Sequence, residues 1–159
     1  MTRAASTIVV RPMSDEDVAA VEDVSRASFL DDHAATGWHA NSLRGELVRP
    51  IARAYVALEG GDVVGFYIGW LVHGELQVLT VAVLPKARRL GVASAILSRV
   101  LFDATSEGAT SAFLELRASN DAARALYTRF GFAVTGERTN YYNDGETATL
   151  MTSVLAAPA

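Results

Sequence analysis

Two successive rounds of strand then helix, each helix closed by a glycine, fill the stretch from Leu76 to Phe132 and leave this chain few architectures. Leu76 to Val83 is a run rich in branched apolar residues that Pro85 ends. From Leu90 onward Ala93, Ile96, Leu97, Val100, Leu101 and Ala104 recur at three-to-four spacing, an amphipathic helix that Gly108 stops. Ser111 to Arg117 reads as another strand. Asn120 suits the cap of a helix over Ala122 to Phe130, and Gly131 closes it. Such switching between periods predicts an α/β fold.

The flanks extend the pattern. Thr7 to Arg11 reads as a short strand broken by Pro12, and Ser14 opens a helix with Asp15, Glu16 and Asp17 in its first turn, where the macrodipole favours them. Val18, Val21, Val24, Ala27 and Phe29 give that helix an apolar stripe. A polar loop over residues 30–37 leads to a second short helix within Trp38 to Val48. Arg53 to Leu58 and Val63 to Leu71 form a hairpin about Glu59-Gly60-Gly61-Asp62, and a turn at His73-Gly74 follows. Phe132 to Tyr142 and Thr147 to Leu155 make a closing hairpin about Asn143-Asp144-Gly145. The order β-α-α-β-β-β-α-β-α-β-β predicts a mixed, mostly antiparallel central sheet between helices. A length of 159 residues suits a single domain over 1–159, with 1–6 and 156–159 as flexible tails.

Composition removes several functions. Half the residues are hydrophobic and a fifth charged, enough to bury a real interior. A net charge of −4 argues against non-specific binding to nucleic acid or anionic membrane, and leaves room for a local acidic patch that receives a basic peptide. The absence of Cys excludes disulfides, thiolate zinc sites and thiol catalysis. His33, His39 and His73 lack metal-ligand company, so no metal is expected. The apolar runs are too short to span a bilayer and the start lacks a signal-peptide core, which predicts a cytoplasmic protein, a monomer or weak dimer.

The residues most suggestive of chemistry follow the Leu76–Val83 strand. Val81, Ala82 and Val83 end that strand, and Arg88, Arg89, Leu90, Gly91, Val92, Ala93 and Ser94 make a basic turn running into a helix. Arg88-x-x-Gly91-x-Ala93 puts small residues where backbone amides can approach a ligand, and the helix adds its positive end, together suited to a diphosphate. No Gly-Lys-Ser/Thr follows, and the G-x-G-x-x-G spacing is missing. The same residues also suit an ordinary strand-to-helix turn with surface arginines.

Five segments then carry a resemblance. Thr80-Val81-Ala82-Val83, the Arg88-x-x-Gly91-x-Ala93 turn, Leu114-Glu115-Leu116-Arg117-Ala118-Ser119-Asn120, Ala125-Leu126-Tyr127 and Phe130-Gly131-Phe132 resemble, in this order, the motifs of GNAT acetyltransferases. Within that superfamily, Glu-x-Arg-x-Ser-Asn, Ala-Leu-Tyr and the following Arg138-x-Asn140-Tyr141-Tyr142 are similar to the bacterial ribosomal-protein-alanine N-acetyltransferases, the RimI family. The likeness covers residues 7–154 and is dense over 76–142.

The resemblance implies the GNAT (acyl-CoA N-acyltransferase) fold and acetyl-CoA as cosubstrate, lying where the Thr80–Val83 strand and the Glu115 strand splay apart. Val81 and Val83 would pair with the pantetheine arm, a neighbouring amide would polarise the thioester, and the amides of Arg89 to Ser94 would bind the diphosphate. Asn120 would hydrogen-bond the pantetheine or order its helix cap. Glu115 would take the proton of the attacking amine, directly or through water, and Tyr127 would protonate the departing thiolate. Trp38, Arg138, Asn140, Tyr141 and Tyr142 would line the acceptor site, the two tyrosines walling the peptide's first residues.

The implied acceptor is the α-amine of a protein N-terminus, the N-terminal alanine of a small-subunit ribosomal protein. A free α-amine, with a pKa of about 7.7–8.0 against about 10.4 for lysine, is the easier nucleophile near neutrality. Other readings stay open: acetylation of a small-molecule amine or a lysine, or a non-catalytic acyl-CoA-binding module. Glu115 also suits the solvent face of a strand with Arg117 as its partner, and Tyr127 also suits core filling. Where the family commonly has Glu-Asp-Ala on its last strand, this chain has Glu146-Thr147-Ala148, which removes one carboxylate from basic-peptide recognition and leaves Glu146.

Overall fold

The computed structural model describes residues 7–28 and 37–155. The terminal segments 1–6 and 156–159, Phe29 and loop residues 30–36 lie outside the described residues. Among the described residues, seven strands, β1 (Ile8–Pro12), β2 (Ala52–Glu59), β3 (Asp62–Val72), β4 (Glu75–Val83), β5 (Ser111–Arg117), β6 (Ala133–Arg138) and β7 (Ala148–Val154), follow the order β1-β2-β3-β4-β5-β7-β6. β4 and β5 run parallel, whereas β1–β2, β5–β7 and β6–β7 are antiparallel, the mixed sheet that the element order predicts. The α-helices of the described residues are α1 (Val18–Ser28), α2 (Ala40–Leu47), α3 (Val92–Ser106) and α4 (Asp121–Arg129). The chain groups into two compact units, 1–68 with 80–99 and 69–79 with 100–159.

In the first unit, β1 keeps Pro12 because an edge strand can spare an N–H. The segment after Ser14 does not open directly as an α-helix. Its first turn, Asp15–Asp17, is 3-10, because the Asp17 carboxylate turns back to accept the Ser14 N–H at 2.8 Å. Arg11 grips the same carboxylate with two bonds of 2.7 and 2.8 Å and holds it down at a pKa of about 2. Val18, Val21 and Val24 then face a core shared with Met13, Leu43, Val56, Phe66, Ile68 and Ala82. Gly65 marks a close approach. A Cβ there would sit 2.9 Å from the Ala82 carbonyl and 3.1 Å from the Val92 Cγ1, so the bare backbone is what lets β3, the end of β4 and the start of α3 meet. Arg99 ties α3 to β1 by donating to the Val10 carbonyl at 2.8 Å.

In the second unit, β4 pairs with β5 over Glu75–Val78 against Ser111–Leu114. Ala112, Leu114 and Leu116 are buried along β5, so Glu115 and Arg117 point to its other face. β7 lies between β5 and β6. The strand expected to run to Tyr142 stops at Arg138, four residues short. Asn140 takes a left-handed φ of 55°, which breaks the ladder, and Tyr142 N–H turns to the Glu146 carbonyl at 3.1 Å. Tyr141 and Tyr142 therefore sit in a loop rather than on alternate faces of a strand.

Candidate functional site

The first unit carries the phosphate-like features. β4 ends with Val81, Ala82 and Val83; a 3-10 turn over Pro85–Ala87 follows, and residues 88–91 are exposed before α3 begins at Val92. Arg89 and Gly91 take left-handed φ values of 65° and 79°. A Cβ built on Gly91 meets nothing within 4 Å, so the space above the loop is open. Ala95 N–H donates to the Gly91 carbonyl at 3.0 Å, and the amides of Val92, Ala93 and Ser94 in the first turn have no acceptor within their own helix. An open loop feeding the positive end of a four-turn helix fits a diphosphate.

Arg88 reaches back to the Ser28 carbonyl at 3.5 Å, and the Ser28 hydroxyl donates to the Val83 carbonyl at 3.3 Å. Sequence reasoning missed Ser28, since 55 residues separate it from Val83. Trp38, expected at the acceptor wall, is braced inside this unit. Its indole N–H donates to Thr80 Oγ1 at 2.9 Å, its backbone N–H to Ser25 Oγ at 2.8 Å, and its ring packs on the apolar core. A cavity of about 330 Å³ in the same unit has Glu59, Asp62 and Lys86 in its wall, two carboxylates against one cation, which suits a phosphate poorly.

The second unit gathers Glu115, Arg138 and Tyr141. Register explains how: Glu115 and Gly136 both oppose Leu150, and Arg117 and Arg138 both oppose Ala148. Residues directly opposite share a face, so these six form two adjacent rows across β5, β7 and β6. Arg138 Nη1 leans diagonally to within 3.6 Å of Glu115 Oε1, and the guanidinium carbon Cζ lies 5.5 Å from the centre of the Tyr141 ring. Glu115, by hydrogen bonding and by charge, pushes the Tyr141 phenol up. Glu115 is thus paired across the sheet rather than with Arg117 along its own strand.

Arg117 has other partners. Its Nη1 donates to Asp144 and Glu146, each at 2.9 Å, and its guanidinium stacks over the Tyr142 ring. Glu146 also accepts the Ser119 N–H at 2.9 Å, and Ser119 with Arg117 holds its carboxyl below the ordinary range. The carboxylate left for basic-peptide recognition is therefore spent inside the protein. Asn120 caps α4, its Oδ1 accepting the Ala123 N–H at 3.1 Å. Tyr127 is buried edge-on against Phe132, 5.6 Å between ring centres, and burial pushes its phenol up to about 12. Among the described residues no three His, Asp or Glu converge as a metal site, and no helix is long and apolar enough to cross a membrane.

Residues 18–132 match the sequence profile of the Acetyltransferase (GNAT) family. A Bacillus subtilis protein carrying the provisional name ribosomal protein bS18-alanine N-acetyltransferase is 31% identical over 144 residues, 89% of this chain and 92% of the relative. The crystal structure of the ribosomal-protein-S18-alanine N-acetyltransferase from Escherichia coli superposes with a TM-score of 0.84 at 26% identity, over 96% of this chain and 97% of that one. PaiA N-acetyltransferase from Thermoplasma acidophilum, solved in complex with coenzyme A, shares the fold at a TM-score of 0.78 and 16% identity, over 93% and 99% of the two chains.

Proposed function

The chain belongs to the GNAT family of acetyltransferases, and from that membership we propose that it moves an acetyl group from acetyl-CoA to the α-amine of a protein N-terminus. The acceptor proposed is the N-terminal alanine of a small-subunit ribosomal protein, as the names of its relatives suggest. The observation that carries this reading is the Glu115–Arg138–Tyr141 cluster, a partly exposed carboxylate beside a phenol and at the side of the Tyr141–Tyr142 loop.

Acetyl-CoA supplies an activated thioester carbonyl. In this proposal the amides of Arg89 to Ser94 hold the diphosphate, with Val81 to Val83 and Asn120 along the pantetheine arm. Glu115 accepts the proton of the attacking amine. An α-amine needs roughly 3.4 kcal/mol less than a lysine to become neutral, the equivalent of about 2.5 pH units, so one carboxylate suffices. Tyr127 keeps its proton throughout the working range and offers it to the departing sulfur. Transfer from a phenol near 12 to a thiolate whose thiol titrates near about 8.5 is uphill, so its contribution is a hydrogen bond to the developing charge, with full transfer completed by solvent.

The test is mass spectrometry of synthetic N-terminal peptides incubated with the full chain and acetyl-CoA. A mass gain of one acetyl group on the α-amine of an Ala-initiated peptide, lost in Glu115→Gln, is expected. Acetylation of free polyamines with Ala-initiated peptides untouched would replace this reading with a small-molecule acetyltransferase.

A further inference from the structure

α4 lies on its sheet by very little apolar surface. Of its nine residues only Tyr127 is buried, and Ala123, Arg124 and Leu126 are partly so. Arg124 and Tyr127 stand three apart and share the inward face of the helix. Arg124 Nη2 donates to Thr149 Oγ1 at 3.1 Å, and Thr149 is completely buried on β7. The Arg124 Nε is also buried and has no hydrogen-bond partner among the described residues. Burying a guanidinium donor unpaired costs stability, so packing alone would favour an apolar side chain at this position. What the arginine adds is a directional bond.

That bond reaches the strand beside the proposed base. Thr149 opposes Leu116 and Glu137, and the next residue of β7, Leu150, opposes Glu115. Successive side chains of a strand point to opposite faces, so β7 carries the anchor of α4 on one face and the row of Glu115 on the other. Tyr127 has no comparable tether. Its ring rests edge-on against Phe132, and among the described residues no hydrogen bond holds its hydroxyl. The direction of that hydroxyl is therefore set by how α4 is rolled on the sheet. We propose that Arg124 is a positioning residue, which fixes the roll of α4 through Thr149 and so aims the Tyr127 hydroxyl at the departing sulfur. The inference rests on Tyr127 acting at that sulfur, and not on which amine is the acceptor.

Thr149→Val removes the hydrogen-bond acceptor with little change of shape, and Arg124→Met removes the donors while keeping an unbranched stem. Turnover is followed by release of free thiol, with acetyl-CoA and an Ala-initiated peptide, or a free polyamine if that is the amine acetylated. Each variant should lower kcat about tenfold and leave both KM values within about twofold, because a small misplacement of a reacting group slows the chemical step without weakening binding. Arg124→Lys, which can still donate one bond to Thr149, should recover most of that loss. In a Tyr127→Phe background, Arg124→Met should lower kcat by less than about twofold further, because the hydroxyl it aims is gone. An effect of Arg124→Met as large in that background as in the unmodified protein, the additive result that general damage to folding would give, overturns the proposal. Unchanged kcat in both Thr149→Val and Arg124→Met overturns it equally. If Tyr127→Phe by itself leaves kcat unchanged, the part given to Tyr127 has failed and the positioning role falls with it.

Discussion

The Arg117 guanidinium lies 4.2 Å above the Tyr142 ring while Asp144 and Glu146 take its Nη1 from either side of the same turn. One side chain at the end of β5 thereby fastens the loop that bears Tyr141 and Tyr142. Arg117→Ala should loosen that loop without touching the Gly91 turn. Hydrogen exchange at the Tyr142 and Gly145 amides, which donate to the Glu146 and Tyr142 carbonyls, should accelerate. The KM for the acceptor should rise several-fold while coenzyme A affinity stays within about twofold, as a calorimetric titration would report.

Gly91→Ala separates the donor loop from the fold. The open space around Gly91 means the new methyl meets nothing, so only the left-handed φ of 79° is penalised, at about 1–2 kcal/mol. The methyl would project into the space proposed for the diphosphate. Coenzyme A binding should weaken at least about tenfold by isothermal calorimetry, with the far-ultraviolet spectrum unchanged.

Gly65→Ala should do the opposite, harming the fold first. A methyl 2.9 Å from the Ala82 carbonyl meets backbone that cannot rotate away, and overpacking of this kind costs about 1–3 kcal/mol. Thermal unfolding should shift down by several degrees.

Acid stability should track Asp17. Its folded pKa of about 2 lies below the ordinary value of 3.8, so the stabilisation is full above about pH 4 and disappears as the pH falls towards 2. The shift corresponds to about 2 kcal/mol at most; Arg11 is half exposed, and screening reduces the pair to about 1 kcal/mol. Asp17→Asn should lower stability at neutral pH by that amount and flatten the loss between pH 4 and 2 in urea titrations. Glu146, also held down by its partners, adds to the acid loss in the same direction as the pH falls below its ordinary value of 4.5.

Tyr127→Phe should lower kcat by about 10²-fold while leaving KM for both substrates little changed, measured by release of free thiol. With its phenol pushed up to about 12, Tyr127 should contribute no alkaline loss of activity below about pH 11.

Much of the fold could be read directly. Ser111–Arg117 forms over the predicted residues, and the Gly60-Gly61 and His73-Gly74 turns adopt the positive φ that their composition signals. Gly65 could also have been found: a lone glycine amid Val63, Val64, Phe66 and Tyr67 signals a close backbone approach. The loop holding Tyr141 and Tyr142 could not, because aromatic residues favour strands locally and the Arg117 clasp that holds them off the ladder comes from 25 residues upstream.

Local pattern alone, then, determined the element order, the mixed sheet and the strand-to-helix turn at Gly91, because periodicity, caps and glycine conformation act over a few neighbouring residues. Only the tertiary structure decided that β7 lies between β5 and β6, and hence that Arg138 rather than Arg117 faces Glu115. Tertiary contacts within each unit likewise consumed Glu146 internally and drew Trp38 onto Thr80. Partners of a charge are fixed by strand register and chain return, which depend on contacts between residues far apart in sequence, and no local signal encodes them.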